Sequence, residues 1–343
     1  MTWVPLLLAD RSPNLRWLVL RKLLGKSAGD EEVAELAALR ESDPLVAELV
    51  RVQNGDGSWG QAKGEEGAKK RIRPTADALV RLGYLGFGSE FAPLRRGATF
   101  LLEQQLADGS WPLPGSWLER EAGEAYEMVP LQTGLPMRAL AMAGYALDSQ
   151  VEKGYEWLLA RRLPDGTWPS GVKAGKNVFP AGYRRLAHSR FGCRSNTTFT
   201  LCALAYHPER RESAAARRAL DMILAQETLP THGLGLEVGR YTGLEKSRGL
   251  FTYFARYDVA LTLDLCWRVG ASLEDPRVAA MVAFVTGLQG PYGLWEYQPH
   301  REVSRWLTFD LLRSLSRIDR ETDWFSIEPR TPFRPYPKKA GRY

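Results

Sequence analysis

The chain has 343 residues, 44% hydrophobic and 25% charged, the balance of a globular protein able to bury a core and far from a disordered composition. Lys and Arg number 46 against 40 Asp and Glu, a net charge of +6 spread along the chain, which reads as a solvated surface and disfavours a dedicated nucleic-acid binder. Cys193, Cys202 and Cys266 form an odd set without framework spacing, which argues against a disulfide-built fold and for a reducing compartment.

In chain order, the opening MTWVPLLLADRSPNLRW has a short apolar run without a basic leader and soon meets an acid and a proline, so it is not read as a signal peptide. No window holds ~18 uninterrupted apolar residues, so no transmembrane segment is expected, and a cytoplasmic location is. NLRWLVLRKLLG (14–25) is the first apolar helix. QNGDGSWG (53–60) follows, then PTADALVRLGYLG (74–86), an apolar helix rich in small residues. APLRRGATFLLEQQL (92–106) is amphipathic, with Leu94, Ala98, Leu101, Leu102 and Leu106 at helical spacing. QLADGSWP (105–112) precedes PLQTGLPMRALAMAGYAL (130–147), and RLPDGTWP (162–169) precedes NTTFTLCALAY (196–206). THGLGLEVG (231–239) stands where a worn copy of the motif is expected before YDVALTLDLCWRVG (257–270). A divergent LQGPYGLWEY (288–297) precedes RWLTFDLLRSL (305–315).

An interval of roughly 50 to 65 residues between Trp59, Trp111, Trp168, the worn copy and Trp295 holds two helices and two turns. Helices apolar nearly all round belong inside and the amphipathic ones outside. The expected fold is therefore all-α: an α/α toroid with about six inner and five to six outer helices, closed into one ring. Residues 1–320 would form a single domain and 321–343 a Pro-rich basic tail wrapping the outside. In each motif the Gln is expected to end the outer helix, the Asp-Gly to make a tight turn, and the Trp to cover the joint between repeats.

This Q-x-x-D/N-G-S/T-W pattern resembles the QW repeats of squalene cyclases, with similar repeats in protein-prenyltransferase β subunits. LADRSPNLRWLVLRKLLG and SRWLTFDLLRSL resemble the two ends of a bacterial branch of the same superfamily. The resemblance implies a toroid that binds or transforms an isoprenoid or other apolar ligand in its central cavity. Class II cyclases place a D-x-D-D acid at the start of an inner helix that continues T-A; in RIRPTADAL, Thr75 and Ala76 fit, but Arg71, Arg73 and Pro74 replace acids. The prenyltransferase zinc set is broken too. Asp258 fits the Asp position, Ala260 stands where the Cys belongs, and Trp306 or Leu307 where the His belongs. The standard catalytic motifs are absent, which leaves the activity undetermined, and zinc is not favoured.

Polar groups near the starts of inner helices are the candidates for a site, because helix N-termini converge there with unpaired amides. Asp258 and Glu127 are the candidate catalytic acid and base pair. Tyr126, Gln132, Thr133, Arg194, Asn196, Tyr257, Arg305, Trp306 and Asp310 are the candidate ligand-binding set, with Arg194 and Arg305 suited to an anion. Each has a structural alternative: Asn196 and Thr197 as helix caps, Asp258 and Arg305 as partners for buried charge. His188, Cys193, Cys202, His207, His232 and His300 are the remaining soft ligands, in spacings that argue for incidental roles over a metal site. The long connections 111–129, 168–192 and 236–257 are expected to emerge at one end and lid the mouth of the ring. The competing reading is a noncatalytic helical-repeat protein that binds a small anionic ligand, a protein partner or nucleic acid.

Overall fold

A computed structural model describes residues 3–62, 64–113, 125–225, 233–245, 258–318 and 324. Six helices line the inside of a ring: α2 (Pro13–Leu18, continuing as a π-helical turn over Val19–Leu23), α5 (Gly64–Tyr84), α7 (Leu131–Met142), α9 (Arg194–Ala205), α12 (Val259–Val269) and α14 (Ser304–Ile318). Outside them lie α3 (Glu31–Leu39), α4 (Pro44–Arg51), α6 (Ala92–Glu103), α8 (Ser149–Ala160), α10 (Ala214–Leu224) and α13 (Pro276–Gly287). A short α1 (Trp3–Leu8) precedes them, and α11 (Leu236–Tyr241) is a separate insertion. The two strands β1 (Val172–Lys173) and β2 (Lys176–Asn177) form a small antiparallel hairpin.

Composition explains the two layers. Every residue of α9 and all of α7 up to Ala141 is buried, as expected of helices whose small side chains allow packing on all sides. The outer helices other than α6 start where a short oxygen-bearing side chain caps the first turn. Asp43, Asp148, Ser213 and Asp275 each accept a backbone N–H, and Pro44 and Pro276 follow two of those caps.

Inner neighbours pack in sequence order from α5 through α7, α9 and α12 to α14, and α14 returns to the turn at 19–23. Closure between α2 and α5 runs through Arg40, which donates to Asn14 Oδ1 (2.9 Å) and to the Leu85 carbonyl (2.6 Å) and lies 3.8 Å from the Trp17 ring.

Each clasp follows one rule. The indole N–H of Trp59, Trp111, Trp168 and Trp295 donates to the carbonyl ten residues earlier, those of Leu49, Leu101, Leu158 and Val285, at 2.7 to 2.8 Å. The backbone N–H of Trp59, Trp168 and Trp295 donates to the hydroxyl of Thr75, Thr197 and Thr308 on the next inner helix, at 2.9 to 3.0 Å. The tryptophan thus ties the end of one outer helix to the following inner one. The turn needs glycine: Gly57 has φ +85, and a Cβ there would come within 2.5 Å of the Arg96 carbonyl.

Several expectations need correcting. The glutamine lies beyond the outer helix and braces the turn instead of ending the helix, with Gln53, Gln105 and Gln289 donating to the carbonyls of Gly57, Gly109 and Gly293. Leu106 is exposed and outside α6, because that helix stops at Glu103. Of the worn copy expected at 231–239, residues 231–232 lie outside the described residues, 233–235 lead into α11 and 236–239 lie within it. Of the tail, 321–323 and 325–343 lie outside the described residues; Trp324 is buried and donates its indole N–H to Asp275 Oδ2 at 2.9 Å.

Candidate functional site

The centre of the ring is occupied by α11. Gly235, with φ +89, turns the chain inward; a Cβ there would meet Leu307 at 2.9 Å. Asp258 fixes the entry: its carboxylate accepts the N–H groups of Gly235 (2.9 Å), Glu237 (2.7 Å) and Ala260 (3.0 Å), so one side chain caps α11 and α12 together. Burial pushes the Asp258 carboxyl up to about 6 against the pull of those amides.

From α11, Glu237 pairs with Arg138 of α7 at 2.6 Å, the two side chains being 3% and 1% exposed. Arg138 also donates to the Tyr241 hydroxyl at 2.6 Å, and its guanidinium stands 5.6 Å from the Phe199 ring centroid and 5.7 Å from that of Tyr241. Burial opposes the Arg138 charge, but Glu237 outweighs it and holds the guanidinium protonated. Tyr241 stacks on Tyr84 of α5 at 4.0 Å, and Trp306 of α14 tilts against Tyr84 at 5.9 Å. Arg240 reaches Asp77 at 2.9 Å.

Beside α11 lies a second buried network. Asp264 of α12 accepts from Arg268 (2.8 Å), Trp267 (3.0 Å), Arg313 (3.1 Å) and Tyr206 (3.4 Å). Burial would raise its carboxyl, but Arg268 and Arg313 more than compensate and bring it down to about 2. Asp310, one turn before Arg313, has a 2.8 Å contact with that same guanidinium. Burial dominates there, Arg313 only partly opposes it, and the carboxyl rises to about 7. Two carboxylates sharing one arginine are thus driven apart, one fixed as an anion and one poised near neutrality. Asp264, Asp310, Arg313, Glu237, Val238, Tyr241, Ala260 and Leu261 surround a residual cavity of about 10 Å³, room for about one water.

The remaining candidates scatter. Glu127 is exposed and takes the Gly175 N–H at 3.1 Å, whereas Asp258 is buried against α11, so the two do not form an acid and base pair across the pore. Tyr126 lies beside the hairpin, with Lys173 4.4 Å above its ring. Gln132 accepts from Val129 and donates to the Trp111 carbonyl at 2.6 Å, a clasp contact. Thr133 is buried on α7. Asn196 donates to the carbonyls of Pro169 and Ser170, while Arg194 is buried in the first turn of α9. Arg305 pairs with Asp10 at 3.2 Å and so helps close the ring, apart from Arg194. Tyr257 and His232 lie outside the described residues. Trp306 and Asp310 are the two candidates that share the central chamber with α11, and Asp258 anchors that helix.

Arg138, Glu237, Tyr241 and Arg313 were not singled out by the sequence; Asp264 was weighed there with Cys266, two residues on, as a D-x-C pair set aside for lying too far along its helix. For Arg138 a signal was available: it is the single charged residue of a helix buried from Leu131 to Ala141. The segment 236–241 sits inside the ring, where the sequence placed a lid over its mouth. The loops 111–129 and 168–192 do meet, through the Met128 and Val172 bridge.

Among the described residues, no three or more His, Cys, Asp or Glu side chains form a group that could hold a metal, and no helix is long and apolar enough to cross a membrane. Cys193, Cys202 and Cys266 are buried and free.

Lanosterol synthase of Aspergillus fumigatus is 31% identical over 127 residues, which cover 37% of this chain and 16% of that protein, under a fifth of its length. Among solved structures, a type II terpene cyclase from Scytonema in complex with geranylgeranyl dihydroxybenzoate is 19% identical with a TM-score of 0.43, covering 79% of this chain and 70% of that one. A protein from Actinoplanes is 15% identical with a TM-score of 0.31, covering 83% and 99%. The family model of the squalene-hopene cyclase C-terminal domain matches residues 34–209, just over half of the sequence and three of the clasps, and the chain belongs to that family.

Proposed function

We propose that the chain binds an isoprenoid or other apolar chain at the centre of its ring, as a cyclase-type toroid whose acid stands at an unusual position. The observation that carries this is Asp310: a buried carboxyl raised to about 7, on the rim of the central cavity, on the same inner helix as Trp306 and close to Tyr84. Alkene protonation requires a carboxyl that holds its proton at rest and becomes strongly acidic when its anion is stabilised. Asp310 keeps its proton near neutral pH, Arg313 at 2.8 Å is placed to stabilise the anion, and the Tyr84 and Trp306 faces are able to stabilise positive charge. Where the family resemblance puts acids, Arg71 is instead tied to Asp56 at 2.7 Å. Ligand entry requires α11 to give way.

The test is to titrate the purified chain with geranylgeraniol and squalene, following tryptophan fluorescence, and to analyse the extracted products. Saturable binding is expected, with Asp310→Asn keeping binding and losing any cyclised product. Absence of saturable binding of either compound would overturn the reading. A second reading, a noncatalytic scaffold, is favoured by how completely α11 fills the ring. It predicts that the amides of 236–241 exchange with deuterium only on global unfolding.

A further inference from the structure

Charge is divided unevenly between two surfaces of the ring. Residues 166–208 contain Lys173, Lys176, Arg184, Arg185, Arg190 and Arg194 and no Asp or Glu. Lys176, Arg185 and Arg190 are exposed, and so is Phe179, at 56%. The Phe179 ring lies 4.6 Å from that of Phe191, with the Arg190 guanidinium 5.7 Å from the first and 5.1 Å from the second. Among the described residues, the neighbouring carboxylates serve the loop itself: Glu127 accepts the Gly175 N–H, and Asp165 accepts the hydroxyls of Thr167 and Ser189.

Residues 30–48 have the opposite character. They hold seven carboxylates and one cation, Arg40, which is buried and turned to Asn14 and Leu85. Lys26 pairs with Asp30 and Glu32, while Glu31, Glu35 and Glu41 are exposed. Leu39, one turn after Glu35 on the same face of α3, is 49% exposed. Each charged surface therefore carries a large apolar side chain in water, the combination of an anchor and a polar rim found at protein interfaces. Within one molecule the two are held apart, because α3 follows α2 and the 171–191 segment follows α8, with α5, α6 and α7 between.

We infer that these surfaces are the two halves of a contact between copies of this chain: the basic surface around Phe179 of one molecule docks on the acidic α3 face around Leu39 of the next. An anionic lipid surface would engage the first and leave the second without a counterpart. Because the halves differ, the contact is heterologous, and assembly continues past two copies until it closes into a ring or grows as a filament. This association is independent of what the ring centre binds.

The experiment is sedimentation of the full chain over a concentration series at about 0.1 and 1 M salt, where charges are screened beyond about 10 and 3 Å. The average mass is expected to rise past that of a dimer at the lower salt and to fall back towards the monomer at the higher. Lys176→Gln with Arg190→Gln removes the basic half, and Glu35→Gln with Glu41→Gln the acidic half; all four positions are exposed, and each double variant should be monomeric. An equimolar mixture of the two should give a one-to-one complex that grows no further, since only one intact pair of halves remains. Phe179→Ser should weaken association by at least about tenfold. A parent chain that stays monomeric throughout overturns the inference, as does a dimer that persists in either double variant or a mixture that remains monomeric. Retention on phosphatidylserine vesicles without self-association would assign the basic surface to a membrane and overturn it equally.

Discussion

Asp258 accepts three backbone N–H groups and leaves little of its carboxylate free to move a proton. Its place at the start of an inner helix was legible in the sequence, because Asp before an apolar run is a cap signal. Its second duty was not, since Gly235 and Glu237 approach it through chain reversal. Asp258→Ala leaves the amides of Gly235 and Glu237 unpaired in a buried place and should cost about 2–4 kcal/mol in urea unfolding. A loss no larger than that of an exposed cap would mean that α11 is not anchored there. Asp310 gives a pH dependence of definite sign. Its folded value is raised to about 7 from 3.8, so the stability its neutral form contributes is fully present below about pH 4 and is lost as pH rises through about 7. Asp310→Asn should therefore flatten the decline in stability between about pH 4 and 7, and an unchanged slope would place the titration elsewhere. Burial sets this value, and Arg313 and Asp264, which adjust it in opposite directions, come from one inner helix and its neighbour, whose meeting no linear spacing announces.

At the scale of elements, the repeat was readable because its chemistry is local. Asp-Gly sets the turn, and the indole donates to a carbonyl at a fixed distance of ten residues, so each copy carries its own instructions. Trp168→Phe keeps an aromatic ring but removes the indole N–H from the Leu158 carbonyl, which retains only the Arg161 N–H, and should cost about 1–2 kcal/mol. Trp168→Ala should cost about 3–5 kcal/mol because it also opens a cavity at the joint. Similar losses in the two variants, measured by chemical denaturation, would show that the hydrogen bond and not the packing makes the clasp. The start of α5 was hidden for the opposite reason: its first turns, written GEEGAKKRIR, have a composition that reads as loop, and Pro74 looked like a beginning when it lies inside the helix. Helix α11 was hidden most deeply. Six residues are too few to show a period, and Glu237 and Arg240 read as surface charge; their burial depends on Arg138 and Asp77, each about a hundred residues or more away.

At the scale of the whole molecule, a ring differs from an open stack of repeats only at the joint where its ends meet. The sequence counted six inner helices, but the residues that close the circle carry no repeat signature. Arg40 serves one side of that joint and Arg305 the other, and their surroundings predict unequal importance. Arg40 is buried, stacked against Trp17 and Phe87, and supplies donors to Asn14 and the Leu85 carbonyl, while burial brings its guanidinium down to about 10. Arg305 is more than one-third exposed where it meets Asp10, so solvent screens that pair. Arg305→Ala should cost less than about 1 kcal/mol. Arg40→Met keeps the stem over the rings but strands two buried acceptors, and should cost about 2–4 kcal/mol. Because a closed ring lets no repeat unfold without straining its neighbours, the parent protein should unfold in one transition, with fluorescence and far-ultraviolet dichroism coincident. In Arg40→Met the two probes should separate, as the circle opens between α2 and α5 and the repeats begin to melt from new ends. Coincident transitions in that variant would mean that the contact of α14 with the 19–23 turn holds the ring closed by itself.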